Sequence, residues 1–266
     1  MAHYVGYILA VFVGMTLGML GSGGSILSVP ILVYVMGIEP TLATAYSLFV
    51  IGTTSLVGGI HKARQNLVDF YKVILFGIPA VISVFVTRKV FVPKIPEIIF
   101  SFEGFIVNKS ILIMLVFAIV MILASIRMIK PVTEKIVDED IKLNYFKIVL
   151  MGILIGIVSG FVGAGGGFLI VPTLLFFANT PMKMAVGTSL FIVSAQSLIG
   201  FIGDVMGDQI IDWKLLELFT LASIIGIFIG NFISKKVDDE KLKKSFGWFV
   251  LTMGIYIVIR ELLLSQ

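Results

Sequence analysis

Apolar residues run through this chain in long blocks separated by short polar punctuation. Ten blocks read as helical segments. The first half holds roughly 4–20, 24–36, 41–60, 70–91 and 111–129, and the second roughly 148–164, 166–178, 184–203, 214–233 and 246–264. Several approach the length of a bilayer span without a charge. Blocks 24–36 and 166–178 are too short to cross a core about 30 Å thick at about 1.5 Å per residue. They read as half-helices or as short spans in a thinned region.

The pattern repeats. From Gly14/Gly156 to Ile60/Ile202 the two halves align at a constant offset of 142 without a gap, and 17 of the 47 pairs are identical. A period this long in so apolar a chain points to the duplicated halves of a membrane transporter. The expected architecture is an all-α polytopic membrane protein of two inverted repeats, each of about five helical segments, with helices broken at Gly-rich motifs. One membrane domain then covers 1–266. Its first repeat is 1–129, its linker 130–147 and its second repeat 148–266.

Composition agrees. The 266 residues are 58% hydrophobic and 14% charged, and mean hydropathy is +1.10. A soluble domain is about one quarter charged. The net charge of +4 does not mark a nucleic-acid binder, because Lys and Arg sit in short loops where they set topology. Lys62, Arg64 and Lys72 surround the loop after the third segment, whereas Asp204, Asp208 and Asp212 dominate its repeat-mate. The first loop is expected inside and the second outside. The linker, with Lys135, Lys142 and Lys147, and the stretch 234–245 are expected to be cytoplasmic, both ends of the chain external, and 92–109 an external loop. Equivalent points on opposite sides require an odd number of crossings per half. Five segments satisfy this, as do three crossings plus a re-entrant hairpin. No basic stretch precedes the first apolar run, so no cleaved leader is expected.

Chemistry concentrates at the repeated motifs. Gly21-Ser22-Gly23-Gly24-Ser25 and Gly163-Ala164-Gly165-Gly166-Gly167 interrupt apolar helix, and Pro30 and Pro172 follow. Glycine costs a helix about 1 kcal/mol relative to alanine. Broken backbone is tolerated in a bilayer only inside protein or beside a wet cavity. A helix restarting near Ser25 or Gly167 presents free N–H groups and a positive dipole end, which suits an anion. Close helix packing through small residues is the competing explanation. Ser47 and Ser189 are repeat-mates, and Thr188 precedes Ser189. Thr54 and Gln196 lie seven residues beyond the two serines, on the same helix faces. Such side chains donate to an oxyanion without fixed charge, although Ser and Thr also bond back to their own helix. The candidate substrate-binding set is Gly21, Ser22, Gly23, Gly24, Ser25, Ser47, Gly163, Gly165, Gly166, Gly167, Thr188, Ser189 and Gln196. Gly254, outside both clusters, is expected to tolerate alanine.

Other chemistries lack their residues. No ionisable side chain is expected at mid-span, which argues against a buried-carboxylate proton relay. There is no cysteine, no P-loop and no Gly-x-Ser-x-Gly elbow. His3 and His61, the only histidines, form no metal or nucleophilic constellation. No catalytic residue, metal or cofactor is expected, and an enzyme is disfavoured. The expected partners are a small anion and the lipid bilayer, with no nucleic acid.

The twice-occurring Gly-x-Gly-Gly-[Gly/Ser]-x-Leu-x-x-Pro pattern, followed by Ala and Ser-Leu-Phe, resembles the sulfite exporter TauE/SafE family of permeases. It runs over Gly21–Pro30, Ala43 and Ser47–Phe49, then Gly163–Pro172, Ala185 and Ser189–Phe191. Ser25 replaces the third glycine of the first copy, and Tyr46 stands opposite Thr188. The resemblance implies transport of small sulfur-containing anions, such as sulfite or organosulfonates, across the cytoplasmic membrane. From composition and spacing alone, a channel or a permease for another small anion or a neutral solute stays open.

Overall fold

The computed structural model describes residues 2–102, 105–129, 145–163, 165–178, 180–206, 211–234 and 239–263. Most of the 130–147 linker, together with Glu103, Asp208, Lys235 and Lys236, lies outside the described residues.

Ten helical segments form among the described residues. They are α1 (Ala2–Leu20), α2 (Gly24–Val35), α3 (Pro40–Ala63), α4 (Phe70–Lys94) and α5 (Lys109–Ile129), then α6 (Tyr145–Val162), α7 (Gly167–Phe177), α8 (Met182–Val205), α9 (Trp213–Ile233) and α10 (Asp239–Leu263). Two are irregular. The chain enters α2 through tight 3-10 turns over Gly21–Leu27, makes one α turn at Ser28–Pro30 and widens into π-type turns over Ile31–Val35. Helix α4 widens likewise over Thr87–Phe91. The described bounds differ from the expected ones in two places. Helix α6 is described from Tyr145, with Tyr145 and Phe146 exposed and Ile148 and Gly152 buried. The 92–109 loop is partly structured: α4 runs on to Lys94, and Ile98–Phe102 pairs antiparallel with Phe105–Asn108. Six described helices are long and apolar enough to span a membrane.

Glycine decides which helices touch. A Cβ on Gly14 would lie 1.8 Å from Ser223 O, and one on Gly18 2.5 Å from Ile227 O. From the other side, a Cβ on Gly226 would lie 2.1 Å from Val11 O, and one on Gly230 2.2 Å from Met15 O. Four-residue glycine spacing on both helices thus lets α1 and α9 approach backbone to backbone, running parallel. Helices α6 and α4 repeat the device. Gly152 faces Phe76 O, Gly156 faces Ala80 O and Gly160 faces Thr87. Here the repeat offset is 143, since Ala80 corresponds to Ser223 and Thr87 to Gly230. The central pair α3 and α8 crosses antiparallel, with Gly52 against Leu198 and Gly59 against Phe191. Helix α5 packs on α10.

The broken helices fold back as hairpins. Met36, after α2, returns to Gly6 in α1. Thr180, after α7, returns to Lys72, whose Nζ donates to its Oγ1 at 3.0 Å; Lys72 stands one turn before Phe76, which faces Gly152 of α6. The outward faces are apolar. Ile74, Ile78 and Ile82 on α4 and Leu221, Ile225, Phe228 and Phe232 on α9 are all exposed, as lipid-facing positions should be. The larger interior apolar cluster is drawn mostly from α1, α2, α3, α5, α9 and α10, and a smaller one mostly from α4, α6, α7 and α8.

Gly226→Ala should destabilise the detergent-solubilised protein by about 1–3 kcal/mol, the usual cost of overpacking. Gly77→Ala should be neutral or slightly stabilising, because a Cβ there meets nothing nearer than 3.9 Å. Gly254 is not the freer control, since its Cβ would press to 2.9 Å on Ile122 of α5. Thermal unfolding of the two variants checks this. A second expectation concerns Glu39, which caps α3 through Leu42 N at 3.0 Å and accepts from Ser110 Oγ at 2.6 Å. Desolvation acts to raise its pKa, but these bonds and one from Thr41 outweigh it and hold the carboxyl below the ordinary range. Its stabilisation is therefore complete above the unfolded pKa of about 4.3 and fades as pH falls through the lower folded value. Glu39→Gln should cost about half a kcal/mol at pH 7, discounted for solvent screening, and nothing once the pH lies below the folded value. Melting temperatures across that range test the sign.

Candidate functional site

The two glycine clusters meet inside the bundle. Gly21 and Gly163, equivalent at the repeat offset, adopt φ of +67° and +70°, a left-handed turn that residues with a Cβ rarely make. Space adds to the constraint. A Cβ on Gly21 would lie 2.8 Å from Val186 Cγ1, and one on Gly163 2.3 Å from Thr44 Cβ. Val186 and Thr44 are themselves repeat-mates. The breaks touch directly where Ser22 Oγ donates to Gly167 O at 2.9 Å. A Cβ on Gly167 would come within 2.2 Å of Ser22 O. Gly23 lies within the same 3-10 stretch. Gly24 presses on α1, where Thr16 Oγ1 lies 3.3 Å from its carbonyl.

Helix α8 supplies the second break with side chains. Gln196 Nε2 donates to Gly165 O and lies 3.4 Å from Ser159 Oγ. A Cβ on Gly165 would meet Ser197 Oγ at 2.8 Å, and one on Gly166 would meet Ser159 Cβ at 3.0 Å. Ser197 thus also faces the break, without bonding to it.

Buried hydroxyls without partners collect on the same elements. Ser25 and Ser28 on α2, Ser47, Thr54 and Ser55 on α3, and Ser197 and the Gln196 carbonyl on α8 make no hydrogen bond. Thr54/Gln196 and Ser55/Ser197 are repeat-mates. An unsatisfied buried polar atom costs about 1–3 kcal/mol, and folded proteins carry few of them. Such a set on three elements is expensive for packing alone. Its chemistry is that of neutral donors able to turn toward an oxyanion.

Two proposed ligands have other contacts. Ser189 Oγ donates back to Val186 O at 2.8 Å, within its own helix; its mate Ser47 has no such bond. Thr188 Oγ1 accepts from Asp69 N at 2.9 Å, and Tyr46, opposite it in the repeat, accepts from Asp212 N. Asp69 and Asp212 cap α4 and α9. Thr188 and Tyr46 thus do the same work at opposite ends of the central helix pair.

One expectation fails. Arg88 is wholly buried and lies within α4, six residues before its end. Its Nη1 is 3.0 Å from Thr44 Oγ1 and 3.4 Å from Asp204 Oδ1. Its Nε and Nη2, and Asp204 Oδ2, have no partner. An ion pair therefore does lie in the bundle, beside the second break. The signal was an arginine inside an apolar run, masked by the neighbouring Lys89, which made the two resemble a helix-end pair. Among the described residues no cluster of three His, Cys, Asp or Glu side chains could hold a metal.

Apolar spans, broken helices and interior donors together define a helical membrane protein built around a polar centre. The chain belongs to the TauE/SafE family of membrane transporters: the family described as sulfite exporter TauE/SafE matches residues 7–257. A probable membrane transporter protein of Xylella fastidiosa (strain 9a5c) is 28% identical over 257 residues, 94% of this chain and 92% of its own. The probable membrane transporter protein YunE of Bacillus subtilis is 25% identical over 277 residues, 95% of each. One from Methanocaldococcus jannaschii is 33% identical over 116 residues, 41% of this chain and 43% of its own. No solved structure matches the chain.

The bonding pattern separates two substitutions. Gln196→Leu strips Gly165 O of its donor and should cost about 1–3 kcal/mol, whereas Ser197→Ala loses no bond and should be neutral. Thermal unfolding of the purified variants decides it.

Proposed function

We propose that the chain is a permease moving small sulfur-containing anions, such as sulfite or an organosulfonate, across the cytoplasmic membrane. The observation that carries this reading is the contact of the two breaks, Ser22 with Gly167, among partnerless donors from α2, α3 and α8. The family's description supplies the substrate class. The anion would sit between the breaks, held by hydroxyls, the Gln196 amide and helix N-termini. The site needs no cofactor.

The transport cycle proposed is alternating access by two inverted repeats. Its support lies in the helix pairs. Repeat-mates α3 and α8 cross each other, and α1 with α9 mirrors α6 with α4. Each half then makes one hairpin and three traverses, starting from opposite ends. With Lys62, Arg64 and Lys72 inside, both ends of the chain face outward. A channel, or a carrier of another anion or neutral solute, is the alternative.

Liposomes loaded with the purified chain should take up labelled sulfite saturably, and methanesulfonate should compete. Flux linear in concentration would indicate a channel, and absence of flux would remove sulfite as substrate. Ser55→Ala/Ser197→Ala should fold normally yet lower kcat/KM at least about tenfold, equivalent to roughly 1.4 kcal/mol of lost binding.

A further inference from the structure

We infer that Arg88 is a charged ligand of the transported anion and that Asp204 is its resident counter-ion, displaced when the anion arrives. The inference rests on the anion-permease reading above and adds a fixed cation to a site otherwise built from neutral donors.

Three observations carry it. The first is the incompleteness of the pair. A buried guanidinium recovers its desolvation cost only through short, well-formed bonds, and charge-assisted bonds run about 2.7–2.9 Å, often two in parallel. Arg88 meets Asp204 through one contact of 3.4 Å. Two of its nitrogens and the second Asp204 oxygen have no partner although all are buried. A pair kept only to hold helices together would use that fork. This one leaves it free.

The second is direction. The guanidinium lies against the second break, where a Cβ on Gly163 would sit 2.7 Å from Arg88 Nη2. The absent side chain of Gly163 is what lets an unpaired Nη2 face the backbone of the break. Arg88 also sits in the π-type turns Thr87–Phe91, irregularities that often mark functional positions in helices.

The third is the repeat. At the equivalent place in the other half Asn231 replaces Arg88, Lys62 replaces Asp204 and Val186 replaces Thr44. Gly18 and Gly21 pack there on Asn231 and Val186 as Gly160 and Gly163 pack on Thr87 and Thr44. The junction is therefore built twice, and the second copy packs with a neutral amide where the first has the guanidinium, so its packing does not require Arg88. Asn231 keeps a buried amide without partners, a neutral counterpart to Arg88. The fold thus has a buried guanidinium at one break and a neutral amide in its place at the other. Asp204, one residue from the end of α8, can leave Arg88 by a side-chain rotation at a helix terminus, without moving the crossing of α3 and α8.

The test combines anion-dependent thermal unfolding in detergent with flux in liposomes, using sulfite, sulfate and methanesulfonate against chloride. Wild type should be stabilised by at least one oxyanion. Asp204→Asn, which removes the competitor, should lower the half-saturating concentration about tenfold, equivalent to roughly 1.4 kcal/mol. Arg88→Met/Asp204→Leu should fold, since replacing a buried pair by apolar residues is often neutral, yet lose both oxyanion stabilisation and flux. If that variant does not fold, Arg88→Gln/Asp204→Asn should show the same losses. Wild-type flux or stabilisation in either folded double variant, or an unchanged half-saturation in Asp204→Asn, overturns the inference while leaving the permease reading intact. Oxyanion stabilisation that depends on Arg88, without sulfite flux, removes sulfite as cargo and supports the inference. No stabilisation and no flux overturns both.

Discussion

A peptide group released from a helix in hydrocarbon has no water to bond with, so it must be enclosed by protein. The two glycine clusters impose that requirement twice, and the rest of the bundle is arranged to meet it. Each break lies against the other, through Ser22 and Gly167. The crossed pair α3 and α8 flanks them, and α1 with α9 and α4 with α6 pack outside. The glycines that bring these outer pairs together remove side-chain volume where backbones must approach. One residue type therefore both opens the helices and seals the enclosure around them.

That enclosure is polar where a stable core would be apolar. Ser47, Thr54, Ser55 and Ser197 are fully buried hydroxyls with unused bonding capacity. Such groups reduce stability unless something else in the life of the protein uses them. In a chain of the TauE/SafE family of membrane transporters, the anion passage proposed above would be that use. The apolar clusters on either side offset the cost, keeping the donors in place without fixing their direction.

Duplication supplied two copies of the break, and divergence made them chemically different. The second restarts as the regular helix α7, while the first passes through 3-10, α and π-type turns in succession. Ser189 bonds its own helix, while Ser47 bonds nothing. Arg88 and Asp204 meet at one junction, and their repeat-mates in the other half are Asn231 and Lys62. A transporter with identical half-sites would hold its cargo equally from both sides. Under the permease reading proposed above, these differences would let the two sides of the site bind differently.

The sequence by itself determined the ten helical segments, the positions of both breaks and the hydroxyl pairs carried by α3 and α8. All three depend on local rules: apolar runs make helix, glycine interrupts it, and a seven-residue spacing keeps side chains on one face. It also held the repeat, since equal offsets need no coordinates. Tertiary structure alone decided that α1 runs beside α9, that Thr188 serves the cap of α4, and that Arg88 meets Asp204 across 116 residues. Those contacts depend on how far apart the backbones settle, which glycines on two distant helices set jointly. A one-dimensional pattern shows each glycine but not its partner, so an arginine beside a lysine reads as a helix end until packing closes around it.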